Sequence, residues 1–264
     1  MRSSGVPRVV PAALAAVVLA ALLTAAGCAG REGARRFKQA FKEDGTGTPK
    51  ALWEDSKEYL SRTENLVLLL AGGAASGAVR CAYDEKIDDH FQKRGYTFPR
   101  DLDIAFGVVP AAEVGLAAVG YLAGAWQDDP ELYRTSRVLL EAEALNGIYT
   151  MLLKLAAHDM CPNGENLAWP SGHTSMAVTF AAVIDELWGP WIGWPLYGLS
   201  GLVAWQRIDT REHWASDIVF GAVLGYTVGK TVAGRYQPQV LGLDVLPYAD
   251  PATGAAGIAF AKRF

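Results

Sequence analysis

From Asn65 to Ala233 the chain alternates apolar runs of helical length with short turn signals, and this pattern restricts the fold more than any other feature. Helices are predicted at 65–82, 104–126, 131–159, 172–187, 190–206 and 213–233. In the third, Val138, Leu139, Ala142, Leu145, Ile148, Leu152 and Leu155 recur at helical spacing while Arg137, Glu141 and Glu143 fall elsewhere. That spacing predicts a bundle helix with one wet face. Only Ile104 to Trp126 approaches the roughly 20 apolar residues of a membrane span, and Glu113 interrupts it. The uncharged stretch from Leu187 to Gln206 is broken by Pro190 and Pro195. The expectation is an all-α helical bundle of about six core helices. It is favoured over a six-span membrane protein, although the helix number permits either.

The two ends of the chain have a different character. Arg2 and Arg8 precede VVPAALAAVVLAALLTAAG and then Cys28, which is the layout of a signal peptide. A cysteine directly after Ala25-Ala26-Gly27 resembles a bacterial lipoprotein cleavage site, with Ala25 where such sites usually carry leucine. An ordinary secretory signal and an uncleaved anchor are the alternatives. The predicted organisation is a lipoprotein-type signal peptide over 1–27 with Cys28 lipidated, a polar tether over 28–63, a helical domain over 64–238 and a C-terminal β-hairpin over 239–264. The tether is expected to hold short helical pieces around the break at Gly45-Thr46-Gly47-Thr48-Pro49. The hairpin is expected from Pro247, Asp250-Pro251 and Thr253-Gly254 set between short apolar stretches. The expected location is the bacterial periplasm, membrane-anchored.

At 264 residues and 51% hydrophobic content the chain can bury a sizeable core. A net charge of −4 without any Lys/Arg block gives no footprint for nucleic acid. If Cys28 carries lipid, Cys81 and Cys161 remain in an oxidising compartment. In an up-down bundle the first and third helices end on the same side, so a Cys81–Cys161 disulfide is predicted. The four histidines are dispersed and no Cys-x2-Cys pair occurs, so neither a metal nor another cofactor is expected.

Two stretches carry chemistry. WPSGHTSM, from Trp169 to Met176, places His173 in the first turn of an apolar run; it also reads as an ordinary helix start with Ser171 as its cap. QRIDTREHWASD, from Gln206 to Asp217, spaces Arg207, His213 and Asp217 as Arg-x5-His-x3-Asp. On a helix His213 and Asp217 share one face, so the carboxylate can orient the imidazole and leave its other nitrogen to attack. Lys154 lies upstream, at the end of the amphipathic run.

Together these motifs resemble the type 2 phosphatidic acid phosphatase superfamily, which includes class A acid phosphatases and vanadium haloperoxidases. Its pattern is Lys-x6-Arg-Pro, Pro-Ser-Gly-His and Ser-Arg-x5-His-x3-Asp. Here Lys154 stands at the right distance from Pro162, Pro170-Ser171-Gly172-His173 is intact, and Gln206 replaces the serine before Arg207. The resemblance implies that His213 is the nucleophile forming a phosphohistidine, that Asp217 orients it, and that His173 protonates the leaving oxygen and then activates water. It also implies that Lys154, Arg207, Ser171 and Gly172 hold the phosphoryl oxygens. Cations and helix-start amides suit phosphoryl transfer, where positioning and charge stabilisation supply most of the catalysis.

One departure stands out. Cys161 occupies the place of the family's first arginine, replacing a planar fork of donors with a thiol. Arg211, just before His213, and His158, on the side of Lys154, are the candidates to supply the missing cation. The expected function is a metal-independent acid or lipid phosphate phosphatase, a hydrolase acting on a phosphomonoester or pyrophosphate, lipid-linked. A vanadate-dependent haloperoxidase and a non-catalytic binding lipoprotein are the alternatives. The expected partners are a phosphorylated lipid or small phosphoester and, through the lipid anchor, a membrane.

Overall fold

A computed structural model describes the backbone of residues 9–236, 239–240, 243–250 and 255–261, with side chains over 32–45 and 47–236. The helices among these residues are α1 (Val9–Ser61), α2 (Thr63–Ala82), α3 (Asp84–Arg94), α4 (Arg100–Gln127), α5 (Pro130–Ala157), α6 (Gly172–Trp188), α7 (Pro190–Asp209) and α8 (Ala215–Arg235). The fold is all-α, and the six predicted runs are α2 and α4 to α8, with ends shifted by a few residues. The C-terminal hairpin consists of β2 (Leu243–Asp250) paired antiparallel with β3 (Ala255–Ala261), and β1 (Gln239–Val240) extends it into a three-stranded sheet. Residues 1–8 and the side chains up to residue 31, Cys28 included, lie outside the described residues, so the signal peptide and lipidation site do too.

The centre of the bundle is α6 against α8, and three glycines on α8 set their distance. A Cβ on Gly225 would lie 2.2 Å from the Ser175 carbonyl oxygen, and one on Gly229 would lie 2.7 Å from that of Thr179. Gly221 makes the same close approach to Ser171. Small residues four apart let two helix backbones meet, and here they lock the first turns of α6 onto α8. Val183 and Leu187 of α6, Leu224, Val228 and Val232 of α8, Val138, Leu139, Ala142 and Leu145 of α5, and Tyr59 of α1 fill the core.

The wet and dry faces of α5 differ from expectation. Ile148, Leu152 and Leu155 are exposed, whereas Glu141 and Glu143 are buried. The reason is a polar stripe at Asn146, Thr150 and Lys154, spaced by one turn, that takes the inward side of the second half of the helix. Asn146 Nδ2 donates to Ser175 Oγ at 3.1 Å, and the Thr150 and Ser175 hydroxyls lie 3.2 Å apart. Glu141 is accommodated by Arg137 and the Tyr236 hydroxyl.

The segment read as a tether with short helical pieces is, over residues 32–61, a docked helix that runs through Pro49 without a break. Tertiary contacts override the local turn signal. The Asp44 carboxylate accepts from the Tyr121 and Tyr133 hydroxyls, Asp55 pairs with Arg235, and the Tyr59 hydroxyl meets that of Thr227 at 3.0 Å. Helices α2 and α4 are long and apolar enough to cross a membrane, and only 17% of the apolar window of each is buried.

Candidate active site

The ends of α5 and α7 and the starts of α6 and α8 converge at one end of the bundle, and the loop from His158 to Ser171 closes over them. That loop is pinned by an antiparallel bridge between Met160 and Asn166 and by Ala168 N–H donating to the Asp159 carbonyl at 3.0 Å. Facing it, the loop from Thr210 to Trp214 is held by α3 and the segment after it. The Asp84 carboxylate accepts from Ser216 N at 3.0 Å and Ser216 Oγ at 2.5 Å. Asp88 takes Arg211 Nε at 2.6 Å and Nη2 at 2.8 Å, and Asp209 accepts both the backbone N–H and the hydroxyl of Thr97.

Between these loops lies a cavity of about 410 Å³, walled by Thr150, Lys154, Gly172, His173, Glu212 and His213 among others. His213 is buried, and its Nδ1 lies 3.2 Å from Asp217 Oδ2. The same carboxylate oxygen accepts the Trp214 N–H at 3.0 Å, capping α8. With Nδ1 protonated toward Asp217, Nε2 is the nitrogen with a lone pair. Arg80 of α2 adds positive charge behind the pair, with Nη1 3.9 Å from Asp217 Oδ1. Across the cavity His173 sits in the first turn of α6, half-buried, and its pKa is lowered to about 3 by burial and by the charges of Arg207, His213 and Lys154. Lys154 donates to the carbonyls of Leu167 and Ala168, and burial lowers its pKa. Leu167 adopts φ 67° in presenting that carbonyl, a left-handed conformation uncommon for a non-glycine residue.

Residues 154–239 match the family model described as the PAP2 superfamily. That segment of the chain is similar to the PAP2 superfamily. The matched segment begins at Lys154 and takes in all three motifs. A lipid A 1-phosphatase of Porphyromonas gingivalis is 35% identical over 66 residues, 24% of this chain and 15% of that protein. A transmembrane PAP2-type phosphatidylglycerolphosphate phosphatase of Bacillus subtilis has a similar fold, with a TM-score of 0.52 and 14% identity over 66% of this chain and 96% of that one.

Of the site residues expected from the motifs, Lys154, Gly172, His173 and His213 line the cavity and Asp217 stands behind His213. Ser171 does not line it: its side chain is fully buried and its hydroxyl caps α6 at Thr174. Arg207 is also set back. Its Nε donates to Gln206 Oε1 at 2.5 Å, Gln206 donates to Asp103 at 2.6 Å, and its Nη1 is paired with Glu212. Gln206, which replaces the family's serine, thus becomes the strut that orients the arginine.

Three expectations are corrected. Arg211 does not supply the missing cation, because its guanidinium is bound edge-on to Asp88, away from the cavity. His158 does not either: it ends α5 in a left-handed turn with φ 46° and is exposed. Cys81 and Cys161 are free thiols. Cys81 is exposed in the last turn of α2, whereas Cys161 turns inward to the cavity wall, its N–H bonded to the Glu165 carbonyl at 2.8 Å. Burial first, then the Asp217 charge, raise the pKa of the Cys161 thiol to about 11, so the group in the arginine's place is uncharged.

Sequence reasoning missed α3 and the glutamates on the cavity wall, Glu165 and Glu212. The signal for Glu212 was present in its position, directly before His213 and five residues after Arg207.

Proposed function

We propose that this protein is a phosphatase that hydrolyses a lipid-linked phosphomonoester or pyrophosphate through a phosphohistidine on His213. The observation that carries this reading is one cavity in which an aspartate-oriented histidine, a second histidine, a lysine and a helix N-terminus face each other. His213 Nε2 attacks phosphorus, the bond to the leaving oxygen breaks, and that oxygen takes a proton from His173. His173, now neutral, removes a proton from water, whose oxygen attacks phosphorus as the P–N bond breaks and its electron pair returns to Nε2. Lys154, Arg207 and the first-turn amides of α6 offset the charge on the phosphoryl oxygens, and no step calls for a metal.

The low pKa of His173 sets a condition on this scheme. In the empty site the ring is neutral and suited to act as a base; to act as an acid it must gain a proton when substrate binds. A phosphoryl dianion supplies the opposite charge that favours this.

The lipid-linked substrate is supported by the surface beside the cavity. Ile148, Met151, Leu152 and Leu155 are exposed along α5, and Met151 also lines the cavity wall, so an apolar strip runs up to the phosphoryl pocket. Water-exposed apolar side chains grouped in this way mark contact with lipid or another apolar surface. The same protein is proposed to be exported and held at a membrane by a lipid on Cys28. The test is phosphate release from a panel of lipid and soluble phosphoesters, with and without EDTA, against His213→Ala. Release by the wild type alone, retained in EDTA and greatest on lipid substrates, is expected. Equal, slow release by both proteins would remove the enzymatic reading.

A further inference from the structure

Two of the three nitrogens of the Arg207 guanidinium are engaged by side chains, and the third lies against α4. Nε is held by Gln206 at 2.5 Å. Nη2 faces the backbone of α4, where a Cβ on Gly107 would come within 3.1 Å of it. Nη1, the remaining edge, is taken by Glu212 Oε2. Arg207 is only 5% exposed and cannot swing elsewhere, because the Asp103–Gln206 pair grips it from behind. Glu212 is different: its side chain is 38% exposed, it lies on the cavity wall, and its backbone N–H bonds to the Arg207 carbonyl at 3.0 Å, so the two residues stay adjacent whatever the side chain does.

A carboxylate and a phosphoryl group offer a guanidinium the same thing, negatively charged oxygens matched to its N–H groups. Glu212 therefore sits where a phosphoryl oxygen would bind. We propose that Glu212 is a positioning residue that gates this site: its carboxylate holds Arg207 until the phosphoryl group of a ligand displaces it. This rests on the phosphatase reading of the cavity. A bare anion must break the Arg207–Glu212 pair with no other source of binding energy, whereas an ester with an apolar tail brings contacts along α5 that offset the loss. The pair thus weakens every phosphoryl ligand alike, and a ligand with further contacts, such as the tailed ester, is the one that still binds well at low concentration. Cys161 strengthens the effect, since among the described residues no arginine lines the cavity to hold a phosphoryl group while Arg207 is engaged.

The experiment compares wild type and Glu212→Gln, which keeps the shape and removes the charge. Calorimetric titration with inorganic phosphate and with orthovanadate measures binding without turnover, and product inhibition by phosphate measures it during turnover. The variant is expected to bind both anions roughly tenfold more tightly, with the inhibition constant falling in parallel. Unchanged or weaker anion binding by a folded Glu212→Gln protein overturns the proposal. Glu212→Ala, which also removes the hydrogen bond, decides the matter in the same way if the glutamine variant does not fold. The two readings fail separately. A wild type that releases phosphate from esters while the variants bind anions no better refutes only the role of Glu212, and tighter anion binding with no phosphate release from any ester refutes only the phosphatase.

Discussion

Asp217 Oδ2 lies 3.2 Å from Nδ1 of His213 and accepts the Trp214 N–H with the same oxygen, so one carboxylate both caps α8 and selects the tautomer of the histidine. The i, i+4 spacing makes this possible only because the helix starts between them, at Ala215.

Asp217→Asn tests the tautomer argument. An amide at this position can present its NH₂ to Nδ1 and leave the proton on Nε2, where it blocks attack. The expected result is a fall in kcat of roughly 10²- to 10⁴-fold with KM for the phosphoester changed far less. Steady-state kinetics on a variant with an unchanged circular dichroism spectrum checks it, and a loss confined to KM would contradict the assignment.

His173 predicts a dependence of stability on pH with a definite sign. Its pKa is 6.5 when unperturbed and about 3 in the folded protein, so between these values the unfolded chain binds a proton that the folded chain does not. Stability therefore rises with pH across that window, is complete above it, and is lost on acidification, by on the order of 3–5 kcal/mol if the whole shift is realised. Denaturant midpoints measured across the window should fall toward low pH in the wild type and fall less steeply in His173→Gln. Saturating phosphate should flatten the wild-type curve, because the bound anion offsets the cationic surroundings of the ring.

The sequence pattern located the helices well where burial is apolar and poorly where it is polar. Helices α6 and α8 were legible because Ala, Val, Leu and Gly recur through their buried faces, with Ser and Thr between them. Helix α3 was not, because Asp84–Arg94 is charged along most of its length and docks largely through the Asp84 and Asp88 carboxylates, leaving Ile87 and Phe91 as a single apolar pair rather than a period. On α5 the period was found and its second half assigned to the wrong side, since the inward stripe there is Asn146, Thr150 and Lys154. The motif histidines were legible as types at fixed spacing. What hid was the pairing of Arg207 with Glu212 and of Arg211 with Asp88, since which acid meets which base depends on where the chain folds back.

The cysteines give a prediction about oxidation state. Cys81 is exposed and Cys161 is buried with its thiol pKa raised to about 11. Alkylation without reductant, read by mass spectrometry, should find both as thiols, with Cys81 modified first and Cys161 modified quickly only after unfolding. A peptide pair joined through Cys81 and Cys161 would contradict the structure.

The glycines of α8 and α7 provide a paired test of how the site is held. A Cβ on Gly225 would meet the Ser175 carbonyl at 2.2 Å, and Ser175 Oγ is the atom that Asn146 and Thr150 hold at the start of α6. Gly225→Ala must push α6 away from α8, at a cost of about 1–3 kcal/mol or more, and the displaced first turn carries His173 with it. A melting temperature lower by roughly 3–10 °C and a reduced kcat are expected together. Gly201, in α7, has nothing within 4 Å of the same added atom, so Gly201→Ala removes only backbone freedom from the unfolded chain and is expected to stabilise by about 0.5–1 kcal/mol. Thermal melts and kinetics of the two variants side by side separate contact from propensity. If both alanines act alike, the close approach of α6 and α8 is not what positions His173.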